Sequence, residues 1–218
     1  MGIFELNKTT ATFYGNLDPI NPPFPFYLNI AENDNDNSIE NIIYNAANYI
    51  LDPNKTTMYD GNVLIRDDNS LNDNTYKFIT TQFMTRKIFS EKLSPYPIKH
   101  LTITFTPDYH ISAHEAQNIA EYIIYFLSLF DSHQYLYAVH NIQWNYKEGR
   151  LSHPHIHFLI NTTDRYTGKT LDLNSKMLTL FQSAILQAID TVGILNRFNV
   201  PITQISRLYE IPLLCDID

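Results

Sequence analysis

The chain has a single cysteine, Cys215, among its 218 residues. One cysteine excludes an internal disulfide and a zinc site built on paired cysteines, so any metal ion must be held by histidine, aspartate or glutamate. No apolar run reaches the length that spans a membrane, and residues 1–6 lack the basic and apolar regions of a secretion signal. These absences predict a cytoplasmic protein that makes no membrane contact.

Basic side chains are also scarce, with 15 Lys and Arg against 23 Asp and Glu, and a formal charge of -8. Residues 1–75 hold eleven acidic and three basic side chains, and the remainder holds twelve of each. This balance argues against a protein that coats nucleic acid nonspecifically, but it permits a local groove that contacts DNA. A hydrophobic content of 44% is sufficient for one domain with a buried core.

Histidine is concentrated in one short segment, where His153, His155 and His157 occupy alternate positions. Alternate side chains of a strand share a face, so His155 and His157 could hold one metal ion or one phosphate. His140, at the end of the preceding apolar segment, could supply a third nitrogen. A lone histidine on an apolar face is usually an ordinary core residue, but three within five positions favour a ligand-binding role.

The spacing of apolar residues predicts four helices. The first begins at the N-cap Ser38 and ends at Asp52-Pro53, and the third begins with a capping box at Ser112 and runs to about Phe130. The other two are predicted at residues 75–89 and 175–189. Lys77, Arg86 and Lys87 lie on the second helix as candidate phosphate contacts, although solvated charges are their ordinary role.

Three strands are predicted, at residues 100–106, 135–142 and 155–161, with a turn around Gly149 between the last two. Antiparallel pairing of the last two strands would bring His140 near His155 and His157. Residues 1–37, rich in Pro and Asn-Asp, are expected to form an irregular extension, which leaves a domain at residues 38–218. The order of elements predicts an α+β fold in which helices flank a central antiparallel β-sheet.

Several segments resemble HUH-type relaxases, the mobilization nucleases of plasmids and conjugative elements. The family's metal-binding motif is resembled by YLYAVH at residues 135–140 and by PHIHFLIN at residues 154–161. Its nucleophile motif is resembled by AANYILDPNKT at residues 46–56. Residues 99–112 resemble its strand, loop and helix segment, with Thr104-Phe105 and Pro107 at the family's Ser-Phe and Pro positions. The resemblance extends over about residues 40–180.

The resemblance implies an enzyme that nicks one strand of DNA at a transfer origin by tyrosine transesterification. It implies that Tyr49 is the nucleophile and that His140, His155 and His157 hold a divalent metal ion, with Mg²⁺ or Mn²⁺ expected and Zn²⁺ as an alternative. The intermediate would be a 5′-phosphotyrosyl DNA. The implied partners are single-stranded DNA and accessory proteins of the relaxosome.

Other residues around these motifs are candidates for supporting roles. His153 and Asn161 could support a ligand histidine, while Trp144 and Tyr146 could stack on DNA bases. Four basic residues flank these motifs in the sequence and are the best candidates for contacts with the DNA backbone, namely Lys147, Arg150, Arg165 and Lys169. Packing or solvation is the ordinary alternative for each of these residues.

Three alternatives remain open from the sequence. Tyr44 lies on the same helix as Tyr49 and is a reserve nucleophile. His-x-His-x-His also resembles the histidine-triad nucleotide hydrolases, which require neither a metal ion nor a tyrosine. A non-catalytic, metal-stabilised accessory domain that binds single-stranded DNA is the third alternative.

Overall fold

A computed structural model of the chain describes residues 26–31, 38–65, 71–88, 96–105, 111–141, 144–145, 150–151 and 154–193. Its strands are, in chain order, β1 (Phe26–Ala31), β2 (Thr56–Gly61), β3 (Ile98–Phe105), β4 (His133–His140), β5 (Trp144–Asn145), β6 (Arg150–Leu151) and β7 (His155–Asp164). Its helices are α1 (Ile39–Ile50), α2 (Asp73–Ile88), α3 (Ala113–Phe126), the short α4 (Leu129–Ser132) and α5 (Ser175–Thr191).

Five of the strands form the central sheet in the order β1-β3-β7-β4-β2, and every neighbouring pair is antiparallel. The two remaining strands, β5 and β6, pair with each other in a separate ribbon between β4 and β7. The pairing of β4 with β7 places the centre of the sheet at the two histidine-bearing strands. The predicted α+β fold with a central antiparallel sheet and flanking helices is therefore confirmed.

The two faces of the sheet carry separate cores, because alternate residues of each strand point to opposite sides. On one face α3 and α5 cover side chains such as Phe158 and Ile160. On the other face α1 and α2 cover side chains such as Leu159 and Leu136. Since His155 and His157 alternate with Ile156 and Phe158, they lie on the face that α1 covers.

Sequence patterns located most of the elements. Ser38 caps α1 by accepting a hydrogen bond from the Asn41 backbone, and Ser112 and Glu115 form the predicted capping box of α3. The third predicted helix is interrupted after Phe126, because Leu127 is extended before the short α4 begins. Of the helices that the structure describes, none combines the length and apolar character needed to cross a membrane.

Both edge strands depart from the sequence prediction. Residues 26–31 were expected to be part of an irregular extension, but they form β1, which pairs with β3 from Phe26 opposite Phe105 to Ala31 opposite His100. Strand β2 was not predicted either, and it pairs with β4 on the other edge. A short edge strand forms because it pairs with a neighbouring strand, and its own sequence does not indicate which strand that is.

Candidate active site

The pairing of β4 with β7 brings three histidines together. His140 is the last residue of β4 and lies opposite His155, the first residue of β7, while His157 lies one alternate position further on the same face. One nitrogen from each ring can be chosen so that all three lie within 4.8 Å of one another. Within the part of the chain that the structure describes, this is the one group of three or more potential metal ligands.

The end of α1 is fixed directly above these histidines. The last carbonyl groups of a helix have no partner within the helix. The Ile50 carbonyl accepts hydrogen bonds from His140 Nε2 (2.8 Å) and from Thr56 Oγ1 (2.8 Å). These two bonds attach the end of α1 to β4 and to the start of β2, so the residue before Ile50 is held over the histidine cluster.

That residue is Tyr49, whose ring lies against the cluster. Its ring centroid is 5.5 Å from that of His157 and 6.1 Å from that of His140. The Nζ atom of Lys55 lies 5.1 Å from the same tyrosine ring, and Lys55 forms an ion pair with Asp52 (3.1 Å). Tyr49 nevertheless remains 43% exposed, so a ligand can reach it from solvent.

A phenol beside three histidines is the arrangement that the resemblance to relaxases implies. The family model for the relaxase nuclease domain of MobA/VirD2-like proteins matches residues 49–188. This match covers 140 of the 218 residues and includes the tyrosine, the three histidines and most of α5. The chain belongs to the MobA/VirD2-like relaxase family. No curated protein matches the chain.

The histidines of this relaxase domain have the chemistry of metal ligands. Burial lowers the pKa of His140 to about 4 and holds that of His157 well below its ordinary value, and the neighbouring imidazoles contribute in the same direction. Both rings are therefore neutral at pH 7, which is the form that binds metal ions. Among the described residues, no hydrogen-bond partner satisfies the buried His157 Nε2 atom. The donor set thus fits a divalent cation.

The hydrogen bond of His140 also assigns its tautomer. A carbonyl oxygen can only accept, so the bond to Ile50 requires the proton to be on His140 Nε2. The lone pair of this imidazole is then on Nδ1. His140 would therefore bind a cation through Nδ1, because its Nε2 is occupied by the hydrogen bond to the end of α1.

Tyr44, the reserve nucleophile, lies in a different environment. Its hydroxyl donates a hydrogen bond to Asp73 at the start of α2, and its ring packs edge-on against Tyr76. The hydrogen bond to the Asp73 carboxylate raises the pKa of Tyr44 to about 12. A phenol that is bonded to a carboxylate is harder to ionise, so this position is unsuited to nucleophilic attack.

Sequence reasoning missed His100 and Lys55 as members of the site. His100 is the first residue of the strand predicted at residues 100–106, and in the structure it is 5% exposed with its Nε2 2.9 Å from His157 Nδ1. The available signal was that His100 and Thr102 are alternate residues of one strand, so both polar side chains lie on the same face of the sheet. Lys55 belongs to the segment at residues 46–56 that resembles the nucleophile motif. The turn between α1 and β2 brings it close to Tyr49.

Asn161 does not have the role expected for it. It lies on the histidine face of β7, but its Oδ1 accepts hydrogen bonds from Lys87 Nζ (2.9 Å) and the Thr163 backbone (3.1 Å). Its Nδ2 donates to the Phe83 carbonyl (3.1 Å) and to Gln134 Oε1 (3.0 Å). These four bonds use its amide, so Asn161 supports α2 and not a ligand histidine.

Lys87 is the other end of that network, and it is not a surface charge. It is 2% exposed, and its Nζ donates to the Pro97 carbonyl (2.5 Å) as well as to Asn161. Burial lowers the pKa of Lys87 to about 7. The expected roles of solvated charge and phosphate contact are therefore both wrong for this residue.

Two of the predicted DNA contacts lie far from the histidines. Arg165 and Lys169 follow the end of β7 opposite to His155, where Asp164 pairs with His133. At about 3.3 Å per residue, Arg165 lies roughly 30 Å from His155 along the strand. The expectation that these two residues flank the histidine site is therefore wrong for this relaxase domain.

Two of the remaining candidates belong to the ribbon of β5 and β6, which lies between β4 and β7 in the chain. Trp144 and Arg150 belong to this ribbon, where the structure describes the backbone pairing of Trp144 with Leu151 and of Asn145 with Arg150. Tyr146, Lys147 and His153 lie outside the described residues. Their roles at the relaxase site stay predictions.

Proposed function

We propose that this domain nicks single-stranded DNA at a transfer origin, with Tyr49 as the nucleophile. The observation that carries the proposal is the position of the Tyr49 ring, 5.5 Å from His157 and above the three clustered histidines. Membership in the MobA/VirD2-like relaxase family supports a DNA-nicking function in general.

In the reaction, the Tyr49 oxygen forms a bond to the phosphorus of one phosphodiester, and the bond from phosphorus to the 3′ oxygen breaks. The phenolic proton leaves the tyrosine, and the departing 3′ oxygen takes up a proton to become a hydroxyl. The products are a 5′-phosphotyrosyl DNA and a free 3′-hydroxyl end. Because one ester replaces another, the reverse reaction can reseal the strand without another source of energy.

His140, His155 and His157 would hold a divalent cation at this site. Bound there, the cation would act as a Lewis acid that offsets the charge developing on the phosphate oxygens. All three side chains are imidazoles, which suit Mn²⁺ or Zn²⁺ as well as the Mg²⁺ expected for phosphate chemistry.

The chain's own residues position the substrate. The hydrogen bonds on Ile50 fix the end of α1, so Tyr49 keeps its place over the histidines while its outer side is open to DNA. Lys55 lies beside the tyrosine ring and supplies a positive charge to the phosphate of the strand. Asp52 orients Lys55 through their ion pair.

The biological setting is inferred from the family alone. We infer a mobilization protein of a plasmid or conjugative element that acts in the cytoplasm, together with accessory proteins of a relaxosome. The histidine-triad hydrolase hypothesis is less favoured, because the relaxase family match includes Tyr49 and a triad hydrolase requires no tyrosine. The non-catalytic accessory reading is an outcome of the test below.

The test is incubation of the protein with a labelled single-stranded oligonucleotide that carries the origin of its own element, in the presence of Mn²⁺. We expect a covalent adduct that survives denaturing electrophoresis. Tyr49→Phe should abolish it, whereas Tyr44→Phe, the matched control on the same helix, should form it at the rate of the wild type.

Two outcomes would overturn the proposal. An adduct that persists in Tyr49→Phe but disappears in Tyr44→Phe would move the nucleophile to Tyr44. A wild type that binds the oligonucleotide and Mn²⁺ without forming any adduct would favour the non-catalytic accessory domain.

A further inference from the structure

A fourth histidine lies beneath the cluster of three. His100 is buried on β3, and its Nε2 is 2.9 Å from Nδ1 of His157. A contact of this length between two imidazole nitrogens is a hydrogen bond, so one nitrogen carries the proton and the other carries the lone pair. The direction of this bond decides which nitrogen of His157 is available to a cation.

If His100 donates, the proton of His157 is on Nε2, and this nitrogen has no lone pair for a metal ion. If His157 donates through Nδ1, its Nε2 keeps the lone pair. Nε2 is the atom that finds no hydrogen-bond partner among the described residues. A buried N–H group without an acceptor destabilises the fold, whereas a lone pair in this position can be satisfied by the cation.

Thr102 supports the second direction. Its Oγ1 lies 3.1 Å from the same Nδ1 atom, because Thr102 is directly opposite His157 in the register of β3 and β7. An imidazole nitrogen has a single lone pair, so two donors would compete for it. One N–H group can instead be shared between two acceptors, which is a common arrangement in proteins.

We propose that His100 is a positioning residue, whose Nε2 accepts the Nδ1 proton of His157 and thereby directs the Nε2 lone pair of His157 into the cation site. This inference rests on the metal-binding part of the proposed function. It also predicts the tautomer of His100, which must carry its proton on Nδ1. Because the imidazole is uncharged, it orients the ligand without adding a negative charge beneath the site.

The first measurement uses the metal-free wild type labelled with ¹⁵N-histidine. Long-range proton–nitrogen correlation spectra distinguish a protonated ring nitrogen from one with a lone pair, and His157→Ala assigns the signals. We expect His157 to carry its proton on Nδ1 and His100 to carry its proton on Nδ1. A proton on Nε2 of His157 in place of Nδ1 would overturn the inference.

The second measurement is the affinity for Mn²⁺ in the absence of DNA, determined by calorimetry. His100→Leu removes the acceptor, and we expect the affinity to fall about 10–100-fold. His100→Gln places an amide oxygen near the position of Nε2 and should recover most of that loss. Equal affinity in the wild type and His100→Leu, or no recovery in His100→Gln with Thr102 intact, would contradict the positioning role.

These readouts separate this inference from the proposed function. A wild type that binds Mn²⁺ and shows the expected tautomers but forms no DNA adduct would contradict the nuclease reaction and support the role of His100. A wild type that binds no Mn²⁺ would overturn the role of His100, because His157 would then have no cation to be directed to.

Discussion

The two ends of β7 both bury polar groups under the helices of the same face, but they satisfy them in different ways. At the Asp164 end, the Lys87 Nζ atom donates to the Pro97 carbonyl and to Asn161 Oδ1 at 2.5 and 2.9 Å. At the His155 end, three imidazoles converge, and Nε2 of His157 finds no partner among the described residues. The Lys87 network stabilises the fold because its donor and its acceptors are paired with each other, whereas the unpartnered Nε2 of His157, beside two other imidazoles, is available to a ligand.

His133 shows that a single unpartnered nitrogen is not sufficient. It lies at the Asp164 end, is 5% exposed, and its Nε2 also lacks a partner among the described residues. Its Nδ1 contacts the Leu129 carbonyl (3.0 Å), which it can only reach as a donor. Because His133 belongs to no group of potential ligands in the described structure, convergence is what distinguishes the active end.

The largest expected effect is on the affinity for Mn²⁺, when His157 and His133 are each replaced by alanine in separate variants. His157→Ala removes a ligand, and because loss of a ligand's supporting partner already costs about 10–100-fold in metal affinity, we expect a loss of more than about 100-fold. His133→Ala, the matched control, removes an equally buried imidazole and should leave the affinity for Mn²⁺ unchanged. Calorimetry measures both.

A fall in Mn²⁺ affinity in His133→Ala that matches the one in His157→Ala would break the comparison. It would mean that the loss of any buried imidazole, at either end of β7, lowers the affinity for Mn²⁺. The thermal unfolding of both variants without metal shows whether loss of folding contributes to either result.

A smaller effect, on stability alone, is expected from Lys87→Met. The folded pKa of Lys87 is about 7 and its unfolded value is 10.5, so between these values the unfolded chain binds more protons. The stability contributed by Lys87 therefore rises with pH across this window, by up to about 1.4 kcal/mol per pH unit. At pH 9 the variant should be less stable by about 1–3 kcal/mol, because the Pro97 and Asn161 oxygens lose their donor.

The measurement is urea unfolding of the wild type and Lys87→Met between pH 6.5 and 9.5, compared at each pH. Lys87→Met should bind Mn²⁺ as the wild type does, since the network does not include the three ligand histidines. A difference in unfolding free energy that does not change with pH would contradict the buried, weakly basic state of Lys87.

The smallest effect should appear in the binding of DNA. Lys55→Ala removes one cation at the tyrosine, and the slope of log affinity for the origin oligonucleotide against log salt concentration should become shallower by about 0.7. The double variant Arg165→Ala with Lys169→Ala removes two cations from the other end of β7. It should leave that slope unchanged, as measured by fluorescence anisotropy.

An effect of the double variant larger than that of Lys55→Ala would place the DNA along the whole length of β7. The two ends of β7 would then differ in metal binding but not in DNA binding.

The sequence predicts the centre of this fold better than its edges and its polar networks. Helix α1 and strands β4 and β7 have strong periodic patterns, and the antiparallel pairing that follows from them brings His140 to His155. Strand β1 has six residues between Pro-rich and Asn-rich segments, so its own pattern is weak. Its pairing with β3 is a property of the folded sheet.

The polar networks were not predictable because they join residues that are distant in the chain. Lys87 and Asn161 are 74 positions apart, and the sequence of α2 gives no sign that one of its lysines is buried. His100 and His157 are 57 positions apart, and their contact depends on the register of β3 against β7. Arg165 is the converse case, because it is close to the histidine motif in sequence but follows the opposite end of β7.

The central claim, that Tyr49 and the three histidines form one nuclease centre, is tested most directly by identifying the residue that carries the DNA. After reaction with the origin oligonucleotide and Mn²⁺, the protein is digested with nuclease and protease, and the modified peptide is located by mass spectrometry with fragmentation. We predict a nucleotide phosphate on the Tyr49 oxygen. Attachment to any other residue, a histidine of the cluster included, would contradict the account.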